Sequence, residues 1–319
     1  MTLAVAVAAL AFTIAAGFND GGNLLAVAAS SRVIAPAKAF LLIVASACAG
    51  PFVFGTAVAN TTGAGIADFR AVGAATLLAA LVGALVTIGA AYAARVPTSL
   101  TIAFFSSMIG ALWAGPGLAA VHWSGVAKVG ISMVGCVAIG LVAGAVTYGV
   151  LRWILARVHR PVALRILSLQ WLSVALMAMG YGANDMEKIA GVLAAVVQTS
   201  TFSVPAWTLA VAAGGFAAGL ALGGMRVAKT VGGKLFSIRS LHALAAQSAS
   251  AATVIGAALA GGPLSTTDTS ASALVGVGAV YNPRAVHWRV VQEIAVAWVV
   301  TIPVALGAGA LAGALARAF

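Results

Sequence analysis

The chain has 319 residues, 62% of them hydrophobic and 7% charged, with a formal net charge of +11. Soluble domains carry about 25% charged residues, so this composition, with a mean hydropathy of +1.10, excludes an ordinary soluble fold and points to a lipid bilayer. The basic residues lie in short loops between apolar runs and share no single solvated face, which argues against a nucleic-acid partner.

Apolar stretches of roughly 20 residues suit membrane helices, and they lack the alternation that a membrane barrel needs. The first covers about 2–30. Its first 16 residues resemble a signal-peptide core, but no Lys or Arg precedes them and the apolar pattern runs on into Asn19-Asp20. They are therefore expected to form the first membrane segment. Further segments fall at about 37–58, 72–94, 97–119 and 129–151. A basic break follows, holding Arg152, Arg157, Arg160 and Arg165. Beyond it lie segments at about 165–199, 203–223, 240–261, 263–282 and 290–315. Cys48 and Cys136 sit inside apolar runs and read as packing residues, with no disulfide or metal framework.

Five segments on each side of the break predict an all-α polytopic membrane protein of two repeats, 1–157 and 165–319. An odd number of crossings per half inverts the second repeat relative to the first. Pro97 and Pro263 each follow the preceding segment after two or three residues. Each adjoining pair of segments then reads either as two full spans or as a re-entrant hairpin, and the parity is the same both ways. With both termini outside the cell membrane, the cytoplasmic loops hold Arg32, Lys38, Arg95, the four central arginines, Arg226, Lys229, Lys234, Arg239, Arg284 and Arg289. These are 13 of the 17 basic residues, the bias of a positive-inside protein.

One motif occurs twice. Gly17-Phe18-Asn19-Asp20-Gly21-Gly22-Asn23 returns as Gly182-Ala183-Asn184-Asp185. Pro97-Thr98-Ser99-Leu100-Thr101 begins 77 residues after Asp20, and Pro263-Leu264-Ser265-Thr266-Thr267 begins 78 after Asp185. The six acidic residues are Asp20, Asp68, Asp185, Glu187, Asp268 and Glu293. A carboxylate at mid-membrane costs about 2.5–3.5 kcal/mol on insertion scales, so the four acids in the repeated motifs, Asp20, Asp185, Glu187 and Asp268, read as functional. Asp68 stands beside Arg70 in an external loop, and Glu293 follows Arg289 by one helical turn as a surface pair. A hard cation wants carboxylate, amide, hydroxyl and carbonyl oxygens. An oxyanion wants O–H and N–H donors, best supplied at helix N-termini. Prolines 97 and 263 suit first helical turns, and Gly21, Gly22 and Gly182 permit a broken helix at each Asn-Asp pair. Carboxylates paired with hydroxyls in apolar surroundings, twice over, look like a transporter built from two repeats.

The two Gly-x-Asn-Asp motifs and the Pro-x-Ser-Thr-Thr motif resemble the inorganic phosphate transporter family of low-affinity phosphate permeases. The stretches Gly223-Gly224-Met225-Arg226-Val227-Ala228-Lys229-Thr230-Val231-Gly232 and Trp298-Val299-Val300-Thr301-Ile302-Pro303 agree. The resemblance covers nearly the whole chain. It implies an inverted-repeat symporter, not an enzyme, that moves phosphate with Na⁺ or H⁺, uses no cofactor and forms a homodimer. It also implies that Asn19, Asp20, Asn23, Asn184 and Asp185, with Ser99, Thr101, Ser265, Thr266 and Thr267, bind substrate and ion, Asp20 and Asp185 being Na⁺ ligands. A permease for sulfate is the alternative. Phosphate carries a P–OH donor near neutral pH and sulfate has none, so acids such as Asp268 beside the anion favour phosphate.

Three departures stand out. The family's usual Asn-Asp-x-Ala-Asn reads Asn184-Asp185-Met186-Glu187-Lys188 in the second copy. The usual Ser-Thr-Thr-His has become Ser99-Leu100-Thr101-Ile102 and Ser265-Thr266-Thr267-Asp268. His122, His159, His242 and His287 all fall near segment ends, where a surface or interfacial position is expected. Lys188 lies three residues beyond Asp185 on the same helical face. It is expected either to pair with Asp185, as a fixed charge where other members hold a mobile cation, or to anchor the helix at an interface.

Overall fold

The computed structural model describes residues 2–30, 34–94, 96, 98–197, 202–224 and 239–318. In the first half, α1 (Thr2–Ala16) leads through a π turn (Gly17–Gly21) into α2 (Gly22–Ser30), followed by α3 (Pro36–Phe54). A short α4 (Ala57–Asn60), a π turn (Thr61–Gly65) and α5 (Phe69–Val72) precede α6 (Ala74–Ala94), α7 (Leu100–Ala114) and a long α8 (Trp123–Leu155). The second half repeats the order. Helices α9 (Arg160–Ser168) and α10 (Gln170–Tyr181) lead through a π turn (Gly182–Met186) into α11 (Glu187–Val197). Then come α12 (Ala206–Gly219), α13 (Ser240–Leu259), α14 (Thr266–Tyr281) and a long α15 (Trp288–Ala318). Among the described residues seven helical stretches are long and apolar enough to cross a membrane, fewer than the ten segments read from the sequence.

The three that drop out are α7, α13 and α14, which with α6 make up the two helix pairs α6–α7 and α13–α14. Ser99 caps α7 and Ser265 caps α14, and the Ser99 hydroxyl donates to Ser265 Oγ at 2.9 Å. Were the two pairs full spans in inverted halves, these caps would lie on opposite faces of a hydrocarbon layer about 30 Å thick. Their contact makes both pairs re-entrant hairpins whose tips meet inside the protein. Irregular backbone at that depth is tolerated because it is buried in protein.

The two halves interlock. Helix α1 packs on α12 and α10 on α3, while α6 and α7 pack on α15, and α13 and α14 on α8. The crossings are close. A Cβ on Gly17 would stand 1.9 Å from the Phe216 carbonyl oxygen, and one on repeat-related Gly182 would stand 1.8 Å from that of Ala47. Only glycine permits such backbone contact, the usual device for packing helices in lipid. The outside of the bundle is apolar. Helix α8, for example, exposes Ile131, Val134, Ile139, Val142 and Val146 along one face, the pattern of a helix against acyl chains.

The expected helix breaks at the Asn-Asp pairs are π turns instead, at Gly17–Gly21 and Gly182–Met186. The wider i→i+5 loop keeps the helix continuous while redirecting side chains. Pro263 does not occupy a first helical turn: Ser265 is the N-cap, accepting from the Asp268 N–H at 3.2 Å, which starts the helix at Thr266, three residues later than a proline at the first position would. Pro97 lies outside the described residues, as do Met225 to Gly232 of the glycine-rich stretch.

Candidate functional site

The π turns and the hairpin tips bring the repeated motifs together in two related clusters. In the first, Asp20 accepts from the Thr267 hydroxyl and from Asn19 Nδ2 at 2.8 Å. Asn23 Nδ2 donates to Thr267 Oγ1 at 3.3 Å. In the second, Lys188 Nζ donates to Asp185 Oδ1 at 2.9 Å, Thr101 Oγ1 at 2.8 Å and the Leu264 carbonyl at 2.6 Å. The Thr266 hydroxyl donates to Asp185 Oδ2 at 2.8 Å. Each cluster thus joins the Asn-Asp helix of one half to a hairpin tip. The residue at +3 from Asp is Asn23 in one and Lys188 in the other. Lys188 is 2% exposed, so it is no interfacial anchor.

Asn184 holds the second tip, donating to the Gly262 carbonyl at 3.3 Å and accepting from the Leu264 N–H at 3.3 Å. Where the tips meet, the N-termini of α7 and α14 face one another. The first amides of each, including those of Thr266 and Thr267, have no intrahelical acceptor, and both positive dipole ends point to one spot. Asp268 is buried there against the Ser265 and Ser99 hydroxyls, with Oδ1 left unpartnered.

Several acids and bases lie elsewhere. Glu187 Oε2 accepts from the Val58 and Ala59 N–H groups at 3.0 and 3.3 Å, so it caps α4 and holds that segment against α11. Arg70 pairs with Asp68 at 3.4 Å, and Arg289 with Glu293 at 3.2 Å, both exposed as expected. His242 corrects the expectation of a surface histidine. It is buried, with Nδ1 accepting from the Arg239 N–H at 3.2 Å and its ring centroid 5.5 Å from that of Tyr148 and 4.3 Å from that of Tyr281. Aromatic packing and a satisfied nitrogen outweigh its position near a helix end. His122, His159 and His287 are exposed. Cys136 is buried and Cys48 partly buried, both free.

Sequence reasoning missed the Leu264 carbonyl, which no side-chain pattern signals. It also missed Tyr181, whose hydroxyl donates to the Thr266 carbonyl at 2.8 Å. A tyrosine one turn before Asp185 in an apolar helix was a legible signal. Thr301, in the stretch near the end of the chain, meets Thr98 at 3.0 Å.

Interlocked inverted halves with an apolar exterior and a buried polar centre made of paired repeat motifs define a membrane carrier of the inverted-repeat class. Residues 16–168 and 162–309 each match the phosphate transporter family, and the chain belongs to that family. A relative from Rhizobium meliloti named "Probable low-affinity inorganic phosphate transporter" is 30% identical over 93% of this chain and 91% of its own length. One of the same name from Bacillus subtilis is 29% identical over 98% and 96%. The solved structure of a sodium-dependent phosphate transporter superposes with a TM-score of 0.87 at 20% identity, covering 100% of this chain and 99% of that one, a likeness of fold.

Proposed function

We propose that the protein is a symporter of inorganic phosphate in the cell membrane, driven by Na⁺, with both termini outside and a homodimer as the working unit. It moves its substrate unchanged and needs no cofactor. The observation that carries the reading is the head-to-head meeting of α7 and α14. Two positive helix ends aimed at one point repel each other unless an anion lies between them. The free first-turn amides of α14, those of Thr266 and Thr267, supply donors there, the hydroxyls of Ser99 and Ser265 line the spot, and the carboxylate of Asp268 accepts a P–OH. A fully ionised tetrahedral anion would meet that carboxylate with repulsion only.

The cation belongs in the first cluster. Asp20, Asn19 and Thr267 offer a carboxylate, an amide and a hydroxyl, with Asn23 beside them. In the second cluster Asp185, Thr101 and the Leu264 carbonyl form a three-oxygen set around the ammonium of Lys188. That set is the coordination a hard cation would take, filled by a charge the chain carries itself. Lys188 therefore replaces one coupling ion.

The test is uptake of radiolabelled phosphate into proteoliposomes under an imposed Na⁺ or H⁺ gradient, with arsenate and sulfate as competitors. Na⁺-driven uptake blocked by arsenate and little affected by sulfate is expected. Equal inhibition by sulfate would reassign the substrate, and uptake driven by H⁺ alone would reassign the coupling ion.

A further inference from the structure

Among the described residues, five buried side-chain atoms lack a hydrogen-bond partner, and four of them lie where α10 meets α13: Nε2 and Oε1 of Gln170, Nε2 of Gln247 and Oγ of Ser250. The two helices run parallel. The Ser173 hydroxyl donates to Gln247 Oε1 at 2.8 Å, and Gly180 lies against Val254 and Ile255. Polar groups therefore form a line from Gln170, at the start of α10, through Ser173, Gln247 and Ser250 to the Tyr181 hydroxyl, which Ser250 faces and which bonds Thr266. That line ends at the central site. At its other end α9, with exposed Arg160 and Arg165, packs against α10 and α13.

The repeat supplies an internal control. Subtracting the offset between the two Asn-Asp motifs maps Gln170, Ser173 and Tyr181 onto Val5, Ala8 and Ala16. The offset between the two hairpin caps maps Gln247 and Ser250 onto Leu81 and Ala84. All five counterparts are buried and apolar, so the first half seals the equivalent seam with ordinary core. Polar residues that glue membrane helices bond one another. The side-chain amide of Gln170 bonds nothing among the described residues, although an unsatisfied buried amide is costly away from water.

We propose that the α10–α13 seam is the path for phosphate between the central site and the membrane side bearing Arg160 and Arg239. The structure holds it closed. When the carrier opens to that side the helices part, and Gln170, Gln247 and Ser250 bond water and phosphate oxygens. The arginines of α9 attract the anion at the mouth. The inference rests on the phosphate-transport reading, which names the solute.

The experiment uses the full chain in proteoliposomes, with Cys48→Ala and Cys136→Ser as parent. Ser173→Cys and Ser250→Cys, with a membrane-impermeant methanethiosulfonate applied from the Arg239 side, are compared with Ala8→Cys and Ala84→Cys, with the reagent applied from the opposite side that the inverted repeat assigns them. The seam pair should react at least about tenfold faster, because a sealed interface opens only by rare local unfolding, and phosphate should change that rate. Equal rates in all four, or unreactive seam cysteines alongside intact phosphate uptake, would overturn the proposal. Absence of phosphate uptake by the unsubstituted protein together with selective seam labelling would instead count against the transport reading and leave the opening established. A second measurement covers misfolding. Gln170→Leu with Gln247→Leu should raise Tm while lowering the maximal uptake rate; a lowered Tm would make the glutamines structural glue and overturn the proposal.

Discussion

Lys188→Asn tests whether a tethered ammonium stands in for a coupling ion. In the parent, three oxygens at 2.6 to 2.9 Å hold the Lys188 nitrogen in a buried site. Removing one partner of a buried ion pair costs about 3–5 kcal/mol, because the other charge is left uncompensated. Without bound cation the variant should therefore favour the assembled site about 10²- to 10⁴-fold less. Sodium can return much of this. Occupancy at 100 times the dissociation constant contributes about 2.7 kcal/mol, leaving a deficit of at most about 2 kcal/mol by difference. Phosphate uptake into proteoliposomes, measured across a series of external Na⁺ at constant ionic strength, should fall at low Na⁺ and recover at high Na⁺. The Na⁺ dependence should be steeper by about one ion, and a clamped membrane potential should show one more positive charge moving per phosphate. Uptake and cation dependence both unchanged would refute the reasoning, because Asp185 would then need no counter-charge.

Asp20→Asn and Asp185→Asn should each abolish phosphate uptake while leaving expression and detergent-solubilised size unchanged; parental transport by either would separate the Asn-Asp motifs from the site. Gly17→Ala and Gly182→Ala place a methyl within 2 Å of a carbonyl oxygen. Each should cost about 1–3 kcal/mol of stability, read as a lowered Tm, whereas Gly89→Ala, with nothing within 4 Å of the added carbon, should hold or raise it. A cysteine label replacing Arg157 should be reachable only from the cytoplasm and one replacing Asp68 only from outside; the reverse would invert the proposed topology.

Much of this architecture is written in the chain because the chain states it twice. Nearly equal spacing from Asn-Asp to hydroxyl cluster, 77 and 78 residues, predicted matching elements, and an odd count of crossings per half predicted their inversion. The pairing of Lys188 with Asp185 followed from a three-residue helical spacing. What stayed hidden depends on three-dimensional closure. Hydropathy could not separate a re-entrant hairpin from two spans, since apolar residues face lipid in one and protein in the other. The glycines beside the Asn-Asp pairs suggested a broken helix, where the chain keeps the helix and widens one turn. Glu187 looked like part of the motif chemistry, yet it caps α4, a segment 129 residues away in sequence. His242 has the local signature of a surface histidine, and only the meeting of α8, α13 and α14 surrounds it with Tyr148 and Tyr281.

Three deviations from repeat symmetry set the second half apart from the first. Asn23 has become Lys188, Ile102 has become Asp268, and an alanine and leucine seam has become one of glutamine and serine. A symmetric pair of halves would build two equal cation clusters and two equal seams, and nothing would tell the two membrane faces apart. Under the proposed function the first half keeps a cluster open to an exchangeable cation and a sealed core behind it. The second half carries a fixed cation, the carboxylate that accepts the P–OH hydrogen bond, and the polar seam toward the arginine-rich face. Each change suits the other two. A tethered charge keeps Asp185 paired next to the anion when the site is exposed along the seam, where a mobile cation would be free to leave with the phosphate. On this argument Lys188→Asn should also make phosphate release on the Arg239 side depend on the Na⁺ concentration there. Pre-loaded proteoliposomes test this by efflux. Release that ignores Na⁺ on that side would dissociate the fixed cation from the path.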